Sequence, residues 1–320
     1  MKGLLKYILH RLLLLIPVII GVSFLIFFIV NLTPGNPAEM IAGPEADIET
    51  VQRIEEDLGL NKNIFIRYGE YMINLLHGDL GTSYYSSDRV FDKYIERLPA
   101  TLELSASFIV VAVLFSLPLG IIAAVKQYSI FDRISSIVAM VAVSMPNFWL
   151  GVLLILLFSA KLGWLPSGGN QYWYSIILPA LTIGWQMCAL MTRMTRSSML
   201  EVIRQDYINT ARAKGLSEKT VVLKHALRNA LIPIITSAGA LFVDGMGGAV
   251  VTETIFSWPG VGRLMVDSIS KRDLNMVIGC VIMTTVLVTI GNLVIDIIYA
   301  FVDPRIRSSY TGKRGVRNES

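Results

Sequence analysis

Charged residues, cysteine and histidine are all scarce in this 320-residue sequence, and each scarcity removes a class of protein. Only 16% of residues are charged against 53% hydrophobic, and the mean hydropathy is +0.59. That is too little polar surface to cover a water-soluble body, so the two soluble domains that the length would allow are excluded and lipid is the expected solvent. The two cysteines, Cys188 and Cys280, lie in long apolar runs. This excludes a disulfide framework or a cysteine metal site and leaves them as small packing residues. His10, His77 and His225 are too far apart in sequence to make a metal trio. There is no Walker A segment: Gly215-Leu-Ser-Glu-Lys-Thr lacks the second glycine before its lysine, so this chain is not expected to hydrolyse ATP itself. No Gly-x-Ser-x-Gly elbow occurs, and Ser268 and Lys271 share serine–lysine spacing only within a short polar loop. An intramembrane enzyme therefore has no nucleophile and base to work with.

Long apolar runs, by contrast, are plentiful. A helix crossing a hydrocarbon core about 30 Å thick needs roughly 20 mostly apolar residues, because its backbone must satisfy its own hydrogen bonds there. Six stretches qualify: 12–30, 104–125, 134–160, 176–192, 229–252 and 274–302. The first competes with a cleaved signal peptide, but its apolar core is longer than usual and has no small-residue cleavage site after it, so a helix is expected. Pro146 interrupts the third, where its missing amide donor predicts a kink. Three acids belong to these stretches: Glu103 at the rim of the second, Asp244 inside the fifth and Asp296 inside the sixth.

An even number of spans puts both termini on one side. With the termini inside, the inner segments carry 18 Lys and Arg in 73 residues and the outer segments 10 in 103. The positive-inside rule then favours cytoplasmic termini. The expected fold class is an all-α membrane protein with six transmembrane helices, both termini cytoplasmic, and an extracytoplasmic helical lobe between the first and second helices. Its parts are a tip and first helix (1–31), the lobe (32–98), a five-helix core (99–302) and a tail (303–320). Trp164, Trp173 and Trp258 fall near the outer boundary, where interfacial anchoring is the default reading.

Within the lobe, Ile48, Val51, Ile54 and Leu58 share one face of a short helix that Gly59 can end. Ile64, Tyr68, Met72 and Leu75 mark a second before Gly78, and Val90, Phe91, Tyr94, Ile95 and Leu98 a third that Pro99 ends. The lobe is either a cap on the bundle or a docking surface for an extracellular partner. The 193–228 loop is basic, yet has helical periodicity over 207–214 and again over 218–231. Gly215 between them can adopt a left-handed conformation, and Ser217 can cap the second of the two helices. A helix, an elbow and a second helix are predicted. Such a loop reads either as a membrane-surface feature or as a dock for a protein.

The segment 207–215, Tyr-Ile-Asn-Thr-Ala-Arg-Ala-Lys-Gly, and 224–233, Lys-His-Ala-Leu-Arg-Asn-Ala-Leu-Ile-Pro, resemble the EAA loop of ABC importer permeases, in the variant of the oligopeptide, dipeptide and nickel family. Segments 31–37, 78–83, 98–104, 144–151, 162–166, 252–260 and 303–307 resemble family segments in the same order, so the likeness runs nearly end to end. Two departures stand out. Asn209, Thr210 and Ala211 replace the generic Glu-Ala-Ala, and Asp244 replaces a mostly apolar position.

The resemblance implies one of two permease subunits in a heterodimer, two cytoplasmic ATPase subunits and an extracytoplasmic solute-binding protein, within the bacterial inner membrane. It implies no cofactor on this chain, with ATP and Mg on the ATPase partners, contact with membrane lipid, and no nucleic acid. Coupling to the ATPase falls to Tyr207, Asn209, Thr210, Ala211, Arg212, Ala213, Lys214, Gly215 and Leu216. In that scheme Ala211 and Ala213 permit close approach, Gly215 sets the elbow, and Arg212 and Lys214 offer cationic rim contacts. Implied cargoes are dipeptides, oligopeptides, glutathione-like peptides, nickel and metallophores. A charge buried in a span is costly and marks either the translocation path or a subunit contact, and Asp244 is the candidate; Gly245, Gly247 and Gly248 beside it would allow close helix contact. Asp296 and Glu103 read as structural hydrogen-bonding groups. A self-contained secondary transporter is the other class, although no internal repeat between the halves supports it.

Overall fold

The computed structural model describes residues 2–32 and 35–302, and the tail motif at 303–307 lies outside them. Every regular element among the described residues is helical, apart from one bridge between Thr82 and Arg89. Helix α1 (Lys2–Leu32) leads into a lobe of α2 (Pro37–Ala42), α3 (Ile48–Asp57) and α4 (Ile64–Leu76). The long α5 (Val90–Val125) is followed by α6 (Ile130–Ser144), α7 (Asn147–Leu154) with a π-helical extension Ile155–Lys161, and α8 (Ile177–Ile203). Then come α9 (Asp206–Ala213), the short α10 (Glu218–Thr220), a π segment Val221–Ala226, α11 (Leu227–Gly248), α12 (Val250–Ile255), α13 (Val261–Ser270) and α14 (Leu274–Val302). We call the end of the bundle holding α9 the basic end and the other the lobe end.

Among the described residues, five helical segments are long and apolar enough to cross a membrane: Tyr7–Leu32, Val90–Val125, Trp173–Ile203, Glu218–Gly247 and Leu274–Ile298. The expected third span is two helices meeting at 100°, a full break where a kink was expected. Met145 and Pro146 are both extended, with ψ of 123° and 136°. The steric demand of proline on its predecessor explains why the helix stops one residue early. Pro99 behaves in the opposite way. The lobe helix expected to end there runs on, and α5 carries Pro99 and Pro118 inside it. One residue past Pro99, the indole Nε1 of Trp258 donates to the Ala100 carbonyl at 2.8 Å and fastens α5 to the chain beyond α12. This also corrects the reading of Trp258, which is 2% exposed and belongs to the core, whereas Trp164 and Trp173 are exposed.

The most extensive helix pair is α5 with α8. Water does not drive helices together inside lipid, so close backbone approach at small residues has to do so. Ser105, Ala112, Ser116 and Gly120 lie buried along α5, facing Gly184, Cys188, Thr192 and Thr195 on α8. A Cβ on Gly120 would sit 2.5 Å from Thr195 Cβ and 2.9 Å from the Thr192 carbonyl oxygen. Gly245 of α11 packs onto Phe108 in the same way, the close contact expected of it.

A clasp closes the lobe end. Glu253, fully buried on α12, accepts from the Thr101 hydroxyl at 2.7 Å and from the Arg263 amide at 3.0 Å. Thr101 in turn accepts from the Val261 amide at 2.9 Å, and the Gly262 amide also reaches the carboxylate. Burial pushes the Glu253 carboxyl up from its ordinary range while Thr101 and the two amides pull it down. Gly260 and Gly262 leave the space: a Cβ on Gly260 would fall 2.4 Å from the carboxyl group. At the basic end Arg196 forks onto the buried Asp132 at 2.6 and 2.8 Å, tying α8 to α6. Asp296 on α14 accepts from Tyr7 at 2.6 Å and pairs with Arg11 at 3.1 Å, as its structural reading expected. Glu103 departs from that reading, being exposed and without a partner among the described residues.

The seam makes a direct test. Gly120→Leu forces α5 and α8 apart and lowers stability by about 1–3 kcal/mol, the usual effect of overpacking, whereas Gly21→Leu, where a Cβ meets nothing within 4 Å, leaves it unchanged. Thermal unfolding midpoints of the two variants in detergent make the comparison; equal midpoints would refute the close seam.

Candidate functional site

At the basic end the chain leaves α8, makes the short helix α9 and turns back into the span that begins at Glu218. The turn needs a left-handed residue: Gly215 has φ +75° and donates its amide to the Arg212 carbonyl at 2.9 Å. Ser217 then caps the next helix, accepting from the Thr220 amide at 3.4 Å. Helix, elbow and cap are as the sequence predicts, but the second helix runs directly into α11.

Two contacts make the elbow stiff. Arg212 and Glu218, on either side of Gly215, form a two-pronged ion pair at 3.1 and 2.7 Å. Asn229 on α11 donates to the Tyr207 hydroxyl at 2.7 Å. Beneath them, Ile208 is fully buried and Ala211 nearly so, in one core with Met191 and Met199 of α8 and Val221, Ala226 and Ala230 of the returning chain. A short helix with its apolar face locked into the bundle moves with the bundle.

These contacts sort the candidate coupling residues by face. Asn209, Thr210, Ala213, Lys214 and Leu216 are exposed, with Tyr207 at 42%. Ala211 points inward, so close approach by a partner falls to Ala213. The guanidinium of Arg212 is engaged by Glu218, so the elbow's cation left for a partner, among the described residues, is Lys214. The pairing went unnoticed in the sequence, although opposite charges bracketing a turn glycine were its signal.

Asp244 lies apart from this elbow, on α11. It is exposed and has no hydrogen bond or ion pair among the described residues. Gly247, one turn further along the same helix face, is exposed as well. At the lobe end a polar cleft of about 500 Å³ is bordered by Lys62, Arg67, Glu70, Tyr71 and Asn275, between the lobe and helices α1 and α14. His10, His77 and His225 stay apart, and no group of three His, Cys, Asp or Glu among the described residues could hold a metal ion.

Comparisons with known proteins agree with this arrangement. Residues 116–308 match the family described as binding-protein-dependent transport system inner membrane component, and residues 4–105 match the N-terminal family of such membrane components. The glutathione transport system permease protein GsiC of Escherichia coli strain K12 is 44% identical over 303 residues, covering 95% of this chain and 99% of that protein. GsiC of Salmonella typhi is similar to the same extent. In fold, the chain is similar to one from an inward-facing MetNI methionine ABC transporter, with a TM-score of 0.56 at 19% identity over 66% of this chain and 96% of that one. An amino acid ABC transporter chain gives 0.53 at 14% identity, over 66% and 94%. With both family models matched and 44% identity to GsiC over 95% of its length, the chain belongs to the binding-protein-dependent transport system inner membrane components and is a permease subunit of an ABC importer.

Proposed function

We propose that this chain pairs with a second, similar permease to form the path by which short peptides, glutathione-like peptides first among them, pass from a solute-binding protein into the cytoplasm. Two ATPase subunits drive the cycle from below, binding ATP and Mg, and both termini of this chain lie on their side of the membrane. The excess of Lys and Arg in the segments of the basic end supports that orientation. The cargo class rests on the extended similarity to GsiC; nickel and metallophores are the other cargoes of related importers, and the absence of a His, Cys or carboxylate cluster among the described residues gives a metal no obvious foothold here.

The observation that carries the coupling role is the rooted elbow. Ile208 and Ala211 fix α9 to the core, while Asn209, Thr210, Ala213, Lys214 and Leu216 stay exposed to meet an ATPase cleft. Arg212 and Glu218 hold the angle between α9 and the fifth span. Their side chains are 36% and 54% exposed, so the pair adds at most about 1 kcal/mol to stability. Its contribution is geometric, and its loss is read in coupling before it is read in folding.

Asp244 supports a role on the path. It lies three residues before the end of the span Glu218–Gly247, and facing hydrocarbon its carboxylate would carry part of the about 2.5–3.5 kcal/mol that insertion scales give at a helix centre. A water-filled route or the partner permease removes that cost, and in the route the acid faces the amino group of a peptide. The lobe, with its polar cleft, is the surface for the binding protein.

Three outcomes test these assignments in the complex reconstituted with its ATPase subunits. Gly215→Val meets no neighbouring atom but forces a β-branched residue into the left-handed region, a strain of about 1–2 kcal/mol. The variant inserts normally and loses peptide uptake while ATP hydrolysis persists; normal uptake would defeat the coupling role. Arg212→Glu lowers uptake per ATP several-fold, and adding Glu218→Arg to the same chain restores it. Failure of the exchanged pair to recover would mean that Arg212 acts through something other than Glu218. Asp244→Asn raises the KM for a cationic peptide and leaves that for an anionic one unchanged or lower; identical kinetics for both would remove Asp244 from the path.

A further inference from the structure

An apolar groove of about 290 Å³ opens at the basic end between the last turn of α5 and the start of the fifth span. Its floor is Ile121, Ile122 and Val125 on one side and Val222 and Leu223 on the other. Its rim carries Lys126 and Lys219, together with Glu218. The acid is already engaged, since Arg212 holds it at 2.7 Å. Neither lysine has an ion pair among the described residues, and both are exposed. Lys126 is held over the Phe131 ring at 4.8 Å, which steers its ammonium group and leaves its charge in place.

The depth of the groove is as informative as its lining. The span Val90–Val125 ends, and the span Glu218–Gly247 begins, at this level. Lys126 directly follows the apolar run of α5, which puts it at the edge of the hydrocarbon beside Ile122 and Val125, with Lys219 across the groove. The groove also continues an exposed apolar stripe of α5 through Val110, Leu114 and Ile122, with Val125 at its mouth. A protein side chain or a peptide would leave that stripe bare, whereas an acyl chain lies along it. Basic pockets between helices at this level attract anionic headgroups.

We infer that this groove is a binding site for an anionic phospholipid, its acyl chain on the Ile122, Val125 and Leu223 floor and its phosphate between Lys126 and Lys219. Glu218 then links the site to the elbow, because the residue beside Lys219 anchors Arg212. A lipid seated there braces the hinge between α5 and the coupling helix.

The test uses the intact importer in nanodiscs with spin-labelled phosphatidylglycerol and spin-labelled phosphatidylcholine as probes. The wild-type complex prefers phosphatidylglycerol. Replacing Lys126→Gln and Lys219→Gln together lowers that preference by about five-fold for each lysine removed, and Lys126→Arg with Lys219→Arg retains it. Lys224→Gln, an exposed lysine outside the groove, is the control. The proposal fails if the double glutamine variant keeps the wild-type preference, or if the control loses as much, which would mean that basic surface charge in general is responsible.

Discussion

The close seam between α5 and α8 is the constraint on which the rest of this bundle depends. Lipid offers no solvent pressure to hold helices together, so their association has to come from fit. Glycine, alanine, serine and threonine along both helices bring the backbones near enough for that, and Gly120 against Thr192 and Thr195 is the tightest point. Three further elements dock on the pair. α11 packs across both, α6 is tied on through Asp132 and Arg196, and the inner face of α9 falls into the core that the seam creates. Helices α1 and α14 form a second unit, pinned at the basic end by Tyr7, Arg11 and Asp296.

This arrangement suits a transport permease subunit. What an importer permease has to supply is an enclosure and a handle, and the two are built from different interactions. The enclosure relies on dry, close-packed contacts among small residues. In the coupling role we propose, α9 is the handle, with Ile208 and Ala211 buried below it and polar contacts above. A rigid short helix transmits displacement; a loop of equal length without those anchors would absorb it.

Much of this was legible in the sequence because membrane insertion leaves few options. The span positions follow from apolar length, the lobe helices from their periodicity and their terminal glycines, and the elbow from Gly215 and Ser217. Four features were not legible, for reasons that can be named. Proline has opposite effects at two places, breaking the helix at Pro146 and passing within α5 at Pro99, and the local sequence does not carry the tertiary surroundings that decide between them. Trp258 read as an interfacial anchor because its position near a boundary was visible and its burial was not. The inward facing of Ala211 depends on which side of α9 meets the bundle, a tertiary fact. The Thr101–Glu253 clasp is a contact made by folding that side-chain type alone does not reveal, whereas the Arg212–Glu218 pair leaves a trace in the opposite charges on either side of Gly215.

The clasp has a mechanical corollary. One hydroxyl accepts a hydrogen bond from the Val261 amide while donating its own to Glu253, and two further amides end on the same carboxylate. Prising α13 from α5 would strand all these groups in a dry interior together, so separation has no gradual route. The lobe-end rim of the subunit therefore behaves as a single plate that tilts whole, with the yielding joints at the opposite end.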